Sequence, residues 1–177
     1  MIPSVFRKPR KLAAEELFQY ALSLLSGRAL SAGELRKKLA NRAADAADIE
    51  PAIARLGEYG FVDDAKFAEG YATARRDGGS FGSMRVLRDL RQRHVSATVA
   101  EKAVTEAFAD VDESKAIAEY LARKYRTVDL AEHLQDPKHL ASVYRKLRYA
   151  GFSSSTSIRV LKRYASRADE LEDSPED

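Results

Sequence analysis

The chain has 177 residues, of which 32% are charged and 45% are hydrophobic, and it contains no Cys and no Trp. Without Cys, the chain cannot form disulfides, thiolate metal sites or cysteine nucleophiles. Residues 1–12 contain no apolar run of signal-peptide length, and no segment approaches the ~20 apolar residues of a membrane span. We therefore expect a soluble, cytoplasmic protein that makes no membrane contact.

The charge of the chain is distributed unevenly along its length. Residues 168–177 contain six acidic groups and no basic group, so the rest has 30 basic against 21 acidic residues, a net charge of +9. Such a body suits a polyanion or an acidic protein surface. Residues 1–11 are predicted to form a basic arm. Residues 168–177 are predicted to form an acidic disordered tail, which either solubilises the protein or competes with phosphate for its basic surface.

Hydrophobic periodicity, caps and stops predict nine helices. The first keeps an apolar face from Leu12 and stops at Gly27, and the second begins with a Ser31–Glu34 capping box. Residues 126–135 fit no pattern beyond one short turn. The other helices are predicted to begin at Asp48, Asp63, Ser83, Ser96, Asp112, Asp136 and Ser153, and the ninth to end near Arg167.

The segment Phe61–Tyr71, with the sequence FVDDAKFAEGY, is the most informative stretch of the chain. Gly60 ends the third predicted helix, because glycine takes the left-handed conformation at low cost. Asp63 is placed to cap the fourth helix, and Asp64 adds negative charge at the positive end of its dipole. The residues predicted to form this structural joint are Gly60, Phe61, Asp63, Asp64, Phe67 and Tyr71.

Apolar residues recur at one spacing in three predicted middle helices. Leu35, Leu39 and Ala44 are separated by 4 and 5 residues, and the pattern recurs 51 and then 57 residues further along the chain. The later sets are Val86, Leu90, Val95 and Val143, Leu147, Phe152. Such self-similarity predicts an all-α, elongated tandem array of three three-helix, helix-turn-helix-like repeats. The predicted repeats are residues 12–60, 61–110 and 111–167, and the alternative is one globular bundle.

The sequence contains no arrangement typical of a catalytic or metal site. None of its three histidines forms an i, i+4 pair, and His133 and His139 lie on either side of Asp136–Pro137, which breaks a shared helical face. Asp63–Asp64 is better explained by capping, because adjacent helical residues point in different directions. The Gly78–Gly82 loop is not followed by the Lys-Ser/Thr of a phosphate-binding loop. We expect no enzyme activity and no bound cofactor or metal.

Basic residues recur in or near the middle helix of each predicted repeat, opposite the apolar stripe. Stacked repeats would align them as a discontinuous strip that binds phosphates in a salt-dependent, sequence-independent way. For any single helix, an ordinary solvated face is the alternative. The residues predicted to contact a partner or DNA, called the basic strip below, are Arg36, Lys37, Arg85, Arg88, Arg91, Arg145 and Lys146.

Four segments of the chain carry distinctive sequence patterns: Arg28–Leu39, Leu56–Tyr71, Arg88–Arg91 and Ala150–Phe152. Together, these patterns resemble those of one protein family, the bacterial recombination regulators of the RecX family. The resemblance spans about residues 20–165 and departs from the family pattern in the wide Gly78–Gly82 loop and in residues 126–135. Its most specific part is the Gly-Phe-Val-Asp-Asp-x-x-Phe-Ala segment.

The resemblance implies an all-α protein, not an enzyme, that binds RecA filaments on DNA. It would restrain the recombinase and coprotease activities of RecA in homologous recombination, DNA repair and the SOS response. We expect the RecA filament as the partner, contacts of the basic strip with single- or double-stranded DNA, and a monomeric protein. The alternative hypothesis is a stand-alone DNA-binding protein, such as a helix-turn-helix transcription factor built on Ser31–Leu39 and Ile49–Leu56.

Overall fold

The computed structural model describes residues 10–171, which are predominantly helical, and the predicted all-α class is confirmed. The only β-type pairing in this range is an isolated bridge between Leu12 and Ala43. Two short 3-10 helices span Ala46–Asp48 and Ser166–Leu171. The α-helices are α1 (Ala14–Gly27), α2 (Ala32–Ala40), α3 (Ile49–Glu58), α4 (Asp64–Asp77), α5 (Ser83–Gln92), α6 (Ala97–Phe108), α7 (Glu113–Lys124), α8 (Leu130–His133), α9 (Pro137–Ala150) and α10 (Ser154–Leu161). None of these helices combines the length and apolar character that crossing a membrane requires.

The chain divides into two compact units. The first unit contains the chain up to Phe67 together with Gln92–Ser96, and the second contains Ala68–Arg91 and the chain from Ala97 onward. The division therefore lies inside α4, whereas the first predicted repeat boundary lies at residues 60 and 61. The three predicted repeats and their elongated arrangement stay predictions.

In the first unit, α1, α2 and α3 pack against one another in pairs. Leu17, Leu35 and Leu56 have no exposed surface, because the helical period brings them to the faces that meet in this core. Val62, which follows α3, packs against the same cluster. The segment just after the third predicted helix is therefore held by apolar contact with the first unit.

The chain that precedes α1 is attached to the loop after α2. The Leu12 N–H donates to the Arg42 carbonyl, and the Ala44 N–H donates to the Leu12 carbonyl, each at 2.8 Å. Arg10, which belongs to the predicted basic arm, forms an ion pair of 2.7 Å with Glu16. Residues 1–9 of that arm lie outside the described residues.

In the second unit, α7 and α9 both pack against α10. Ile117, Leu147 and Leu161 are fully buried in this core. The 3-10 helix Ser166–Leu171 covers one side of it, with Ala168 and Leu171 buried. The prediction of a disordered tail from residue 168 is therefore wrong for residues 168–171, because Ala168 and Leu171 supply the apolar surface that packs. The remainder of that predicted tail lies outside the described residues.

A close backbone approach joins the start of α5 to the end of α9. Gly151 has φ +91°, and its carbonyl accepts from the Met84 N–H at 3.2 Å. The Gly82 N–H donates to the Ala150 carbonyl at 2.9 Å. A Cβ at Gly82 would lie 2.3 Å from the Gly151 oxygen, and one at Gly151 would lie 2.2 Å from the Arg85 nitrogen. Both positions therefore require glycine.

Most of the predicted helix starts are confirmed, because caps depend on neighbouring residues. The Ser31 hydroxyl accepts from the Glu34 N–H at 3.0 Å, and the Glu34 carboxylate accepts from the Ser31 N–H at 3.2 Å. Asp112 caps α7 and Asp136 caps α9, which begins with Pro137 as predicted. The turn expected in residues 126–135 is the short α8, which Asp129 caps.

Two predicted helix ends differ from the structure. The Asp48 side chain makes no capping hydrogen bond; instead, Asp45 accepts from the Ala47 N–H at 2.9 Å and starts the 3-10 turn that leads into α3. The last helix, α10, ends at Leu161 and not near Arg167. Asp45 is the better cap because its extended backbone lets the side chain reach back to the free N–H groups.

The residues that define the predicted repeat are buried, with one exception. The two later sets, each with a Val and a Leu in α5 or α9, are at most 4% exposed. In the first set, Leu35 and Leu39 are buried, but the third member is Ala43 and not Ala44, which is exposed. The bridge with Leu12 holds residue 43 against the core and shifts the pattern by one residue.

Candidate functional site

The predicted joint at residues 60–71 starts two different helices. Gly60 takes the left-handed conformation with φ +73°, and the Asp63 carboxylate accepts from the N–H groups of Ala65 at 2.9 Å and Lys66 at 3.0 Å. The Lys66 backbone hydrogen bond holds the pKa of Asp63 below its ordinary value. Asp64 does not serve α4 alone, because its carboxylate accepts from the Ala32 N–H, at the start of α2, at 2.8 Å.

The three aromatic residues of the joint make different contacts. The guanidinium of Arg93 lies 5.7 Å from the ring centre of Phe67, and the Tyr71 hydroxyl donates to the Asp89 carboxylate at 3.2 Å. Phe61 is 55% exposed, beside a Tyr59 ring that is 61% exposed. Phe61 is therefore a surface residue of the joint, although its backbone N–H continues the turn by donating to Leu56.

In α2, the predicted basic strip is neutralised at one of its two positions. Arg36 forms a two-pronged ion pair with Glu50, at 2.5 and 2.8 Å, which raises the pKa of Arg36 and lowers the pKa of Glu50. Lys37, the next residue, is exposed. The charge of Arg36 is thus largely neutralised by a carboxylate of the same protein.

The three strip residues of α5 lie in different surroundings. The Arg85 side chain is only 22% exposed; it pairs with Asp89 at 2.8 Å and its guanidinium lies 4.8 Å from the ring centre of Tyr149. Hydrogen bonds to the Tyr149 hydroxyl and, with a smaller effect, to the Asp89 carboxylate raise the pKa of Arg85. Arg91 pairs with Glu101 at 2.7 Å, and Arg88 is exposed.

The two strip residues of α9 line an open concavity. Arg145 and Lys146 are exposed, and together with Lys124 they border a space of about 370 Å³. The Lys146 ammonium donates to the Tyr125 hydroxyl at 3.2 Å and lies 5.6 Å from the centre of its ring. Of the predicted strip residues, these two lie together on one concave surface.

A second concavity adjoins the first. It measures about 480 Å³ and shares Tyr120, Lys124 and Tyr149 with its neighbour. Arg123, at its border, donates to the carbonyl of Gly79. We call the two concavities together the basic–aromatic cleft, which is lined chiefly by Phe81, Tyr120, Arg123, Lys124, Arg145, Lys146 and Tyr149.

Sequence reasoning did not find Arg123, Lys124 or the aromatic residues of the cleft. One local signal was available, because Arg145 and Tyr149 are four residues apart and therefore share a helical face. The contribution of Lys124 from α7 could not be recognised, because the packing that brings α7 and α9 together is tertiary.

Two of the histidines contact each other, which the sequence did not indicate. The rings of His133 and His139 stack with their centres 4.1 Å apart, although Asp136 and Pro137 separate them in sequence. The end of α8 and the start of α9 thus bring the two side chains together without a shared helical face. Among residues 10–171, no group of three or more His, Asp or Glu is placed to hold a metal ion.

The described residues form an all-helical fold that carries a cationic, aromatic concave surface. Residues 18–56 match the model of the RecX first three-helix domain, and residues 63–104 match that of the second. Regulatory protein RecX of Trichlorobacter lovleyi is 31% identical over 134 residues, which cover 76% of this chain and 86% of the relative. Regulatory protein RecX of Pseudomonas entomophila is 32% identical over 141 residues, with 80% and 86% covered. The chain belongs to the RecX family of regulatory proteins.

A solved structure supports the same fold. The crystal structure of RecX from Lactobacillus salivarius has a TM-score of 0.67 at 19% identity, and the match covers 85% of this chain and 96% of that chain. The two family-model matches lie inside the first two predicted repeats, residues 12–60 and 61–110. The coverage shows that the similarity extends well beyond those two matches.

Proposed function

We propose that the protein binds RecA filaments on DNA and restrains the recombinase and coprotease activities of RecA. The observation that carries this proposal is the match to RecX proteins over most of the length of both chains. Those relatives are named as regulatory proteins, and the resemblance noted in the sequence supplies RecA as the partner. Homologous recombination and DNA repair are the corresponding processes.

The distribution of exposed basic residues supports a function that depends on binding at several points along the filament. A RecA filament presents identical protomers at a regular interval, so that weak contacts from separate parts of one chain add through multivalency. The described chain carries exposed basic residues in α2, α5 and α9, of which Lys37, Arg88 and Arg145 are examples. We propose the basic strip as the source of contacts with the filament and its DNA.

The test is the hydrolysis of ATP by RecA on single-stranded DNA, with the protein added in increasing amounts. We expect hydrolysis, strand exchange and RecA-stimulated repressor cleavage to fall together at stoichiometric amounts. The variant Arg88→Gln/Arg145→Gln should require several-fold more protein for the same inhibition. Each single variant, Arg88→Gln or Arg145→Gln, is compared with Lys102→Gln, which removes one exposed cation of α6 outside the basic strip. Unchanged hydrolysis and strand exchange with the unaltered protein would refute the proposal.

The alternative of a helix-turn-helix transcription factor is disfavoured by the charge of α3. This helix would be the recognition helix, yet Glu50 and Glu58 are exposed on it and Arg55 is paired with Glu15 at 2.9 Å. A recognition helix needs donors and cations toward the bases and phosphates of the major groove. A selective footprint at one operator that survives moderate salt would support the alternative.

A further inference from the structure

The basic–aromatic cleft has the volume of a ligand site. Its two concavities of about 480 and 370 Å³ fall within the roughly 300–1,000 Å³ typical of sites that enclose small organic groups. They adjoin at Tyr120, Lys124 and Tyr149, so that a ligand extended along the surface could occupy both. An extended chain with repeating units fits this arrangement better than a single compact molecule.

The cations of the cleft face aromatic rings. The Lys124 ammonium lies 5.6 Å from the ring centre of Tyr120, and Lys146 lies at the same distance from that of Tyr125. Among the described residues that line the two concavities, none is acidic. Because a tyrosine ring orients a cation without cancelling its charge, the cleft keeps a positive potential that attracts a polyanion.

Tyr149 provides an exposed aromatic surface within this positive region. The residue is 67% exposed, whereas Tyr59, the next most exposed large hydrophobic residue among those described, is 61% exposed. The guanidinium of Arg85 lies 4.8 Å from its ring centre and restricts its orientation. Arg85 is itself fixed by Asp89, so Tyr149 is a positioned ring and not a freely rotating one.

We propose that the basic–aromatic cleft binds single-stranded nucleic acid without sequence preference. Tyr149 stacks on a base, while Lys124 and Lys146 contact the flanking phosphates. Single strands expose the faces of their bases, whereas a duplex buries those faces in its own stack, so the cleft prefers single strands. This inference deepens the proposed DNA contacts of Arg145 and Lys146, because it places them in one site that binds single strands without RecA.

The experiment measures the fluorescence anisotropy of a labelled oligothymidylate about 20 nucleotides long, which spans more than one binding site of this type. It uses the full chain at low salt. We expect Tyr149→Ala to weaken binding by about tenfold and Tyr149→Phe, which keeps the ring, to change it little. An abasic oligonucleotide of the same length should bind the unaltered protein and Tyr149→Ala equally. Equal losses on both oligonucleotides, or no loss on either, would overturn the stacking role.

The phosphate contacts have a separate readout. For single strands, each phosphate neutralised contributes about 0.7 to the slope of log affinity against log salt concentration. Lys146→Gln should reduce this slope by about that amount, while Lys102→Gln, outside the cleft, should leave it unchanged. A slope that falls equally for the two variants would contradict a localised site.

A third measurement needs no variant and therefore survives any failure of Tyr149→Ala to fold. Photo-crosslinking of an iodouracil-substituted oligonucleotide to the unaltered protein should attach it at Tyr149 or Tyr120. Crosslinks confined to the first unit would overturn the proposal. So would tighter binding of a duplex, or competition by oligoglutamate of matched charge as strong as by the oligonucleotide. RecA is absent from all three assays, so their failure leaves the proposed function standing, and failure of RecA inhibition leaves the cleft standing.

Discussion

Two regions of the protein, the α2–α3 surface of the first unit and the basic–aromatic cleft of the second, differ in the groups that surround their exposed cations. In the first unit, Arg36 pairs with Glu50 and Arg55 pairs with Glu15, each at 2.9 Å or less. In the second unit, Lys124 and Lys146 lie against tyrosine rings, in a cleft without an acidic residue among those described as lining it. Both regions contain positive residues, but the charge is largely paired in the first region and remains available in the cleft.

This difference shows that a count of basic residues is a poor guide to a polyanion site. A carboxylate within 3 Å cancels most of the field of an arginine beyond a Debye length, about 10 Å at 0.1 M salt. A tyrosine ring has no net charge and leaves the field intact. The basic strip is therefore uneven: Arg36 and Arg91 are paired, whereas Arg145 and Lys146 border the cleft.

The largest effect is expected where α5 meets α9 in the second unit. Gly151→Ala places a residue with a side chain at φ +91° and puts its Cβ against the Arg85 backbone, so we expect a loss of about 2–5 kcal/mol in the free energy of unfolding. Gly60→Ala also has a positive φ, but nothing lies within 4 Å of its Cβ, so about 1–2 kcal/mol is expected. Urea denaturation followed by circular dichroism measures both; equal losses would contradict the close approach.

A smaller effect is expected at the joint in the first unit. Asp64→Ala leaves the Ala32 N–H without its acceptor, and loss of such a cap costs about 0.5–2 kcal/mol. Asp48→Ala is the matched control, because the Asp48 side chain makes no capping hydrogen bond. The free energy of unfolding, measured in urea, should fall more for Asp64→Ala than for Asp48→Ala. An equal loss in the control would show that Asp64 acts through its charge and not through this contact.

The difference in charge pairing between the α2–α3 surface and the cleft can be reduced by replacing one carboxylate with an amide. Glu50→Gln removes the carboxylate that neutralises Arg36, so the first unit should gain an available cation and elute later from heparin. Because the pair is exposed, the free energy of unfolding should change by less than about 1 kcal/mol. Glu69→Gln makes the same change in net charge at an exposed position of α4. Elution at the same salt concentration for both variants would indicate that Arg36 is not neutralised.

The smallest effect is expected on the stability of the protein at acidic pH. Hydrogen bonds from Arg55 and Arg36 hold the pKa values of Glu15 and Glu50 below their ordinary value of 4.5. A lowered folded pKa contributes stability that is present above the ordinary value and lost as the pH falls through the folded value. The melting temperature should therefore fall less steeply below about pH 4.5 in Glu15→Gln/Glu50→Gln than in the unaltered protein. Parallel curves would show that these pairs contribute no acid sensitivity.

Features set by neighbouring residues were predictable from the sequence. The Ser31–Glu34 box, the Asp63 cap and the Asp136–Pro137 start all involve groups within three residues of each other. Their geometry follows from backbone conformation, which the residue types themselves restrict. The all-α class followed from the same local periodicity.

Features that depend on tertiary packing were not predictable. The hydrogen bond that the Ala32 N–H donates to Asp64 joins groups 32 residues apart, and the ion pair of Arg36 with Glu50 spans 14 residues. The cleft combines α7 and α9, and the stacked His133 and His139 meet across a helix boundary. One sequence does not reveal which of several exposed charges will meet, because surface side chains have many alternative partners of similar energy.

The two consecutive aspartates of the joint have a consequence for how chains of this fold can vary in length. Asp63 serves the start of α4, and Asp64 serves the start of α2. An extra residue inserted between them would turn one carboxylate away from its helix, since successive side chains diverge. Insertions should therefore be tolerated in the connection after α1, where a Cβ at Gly27 meets no atom within 4 Å, but rejected between these two acids.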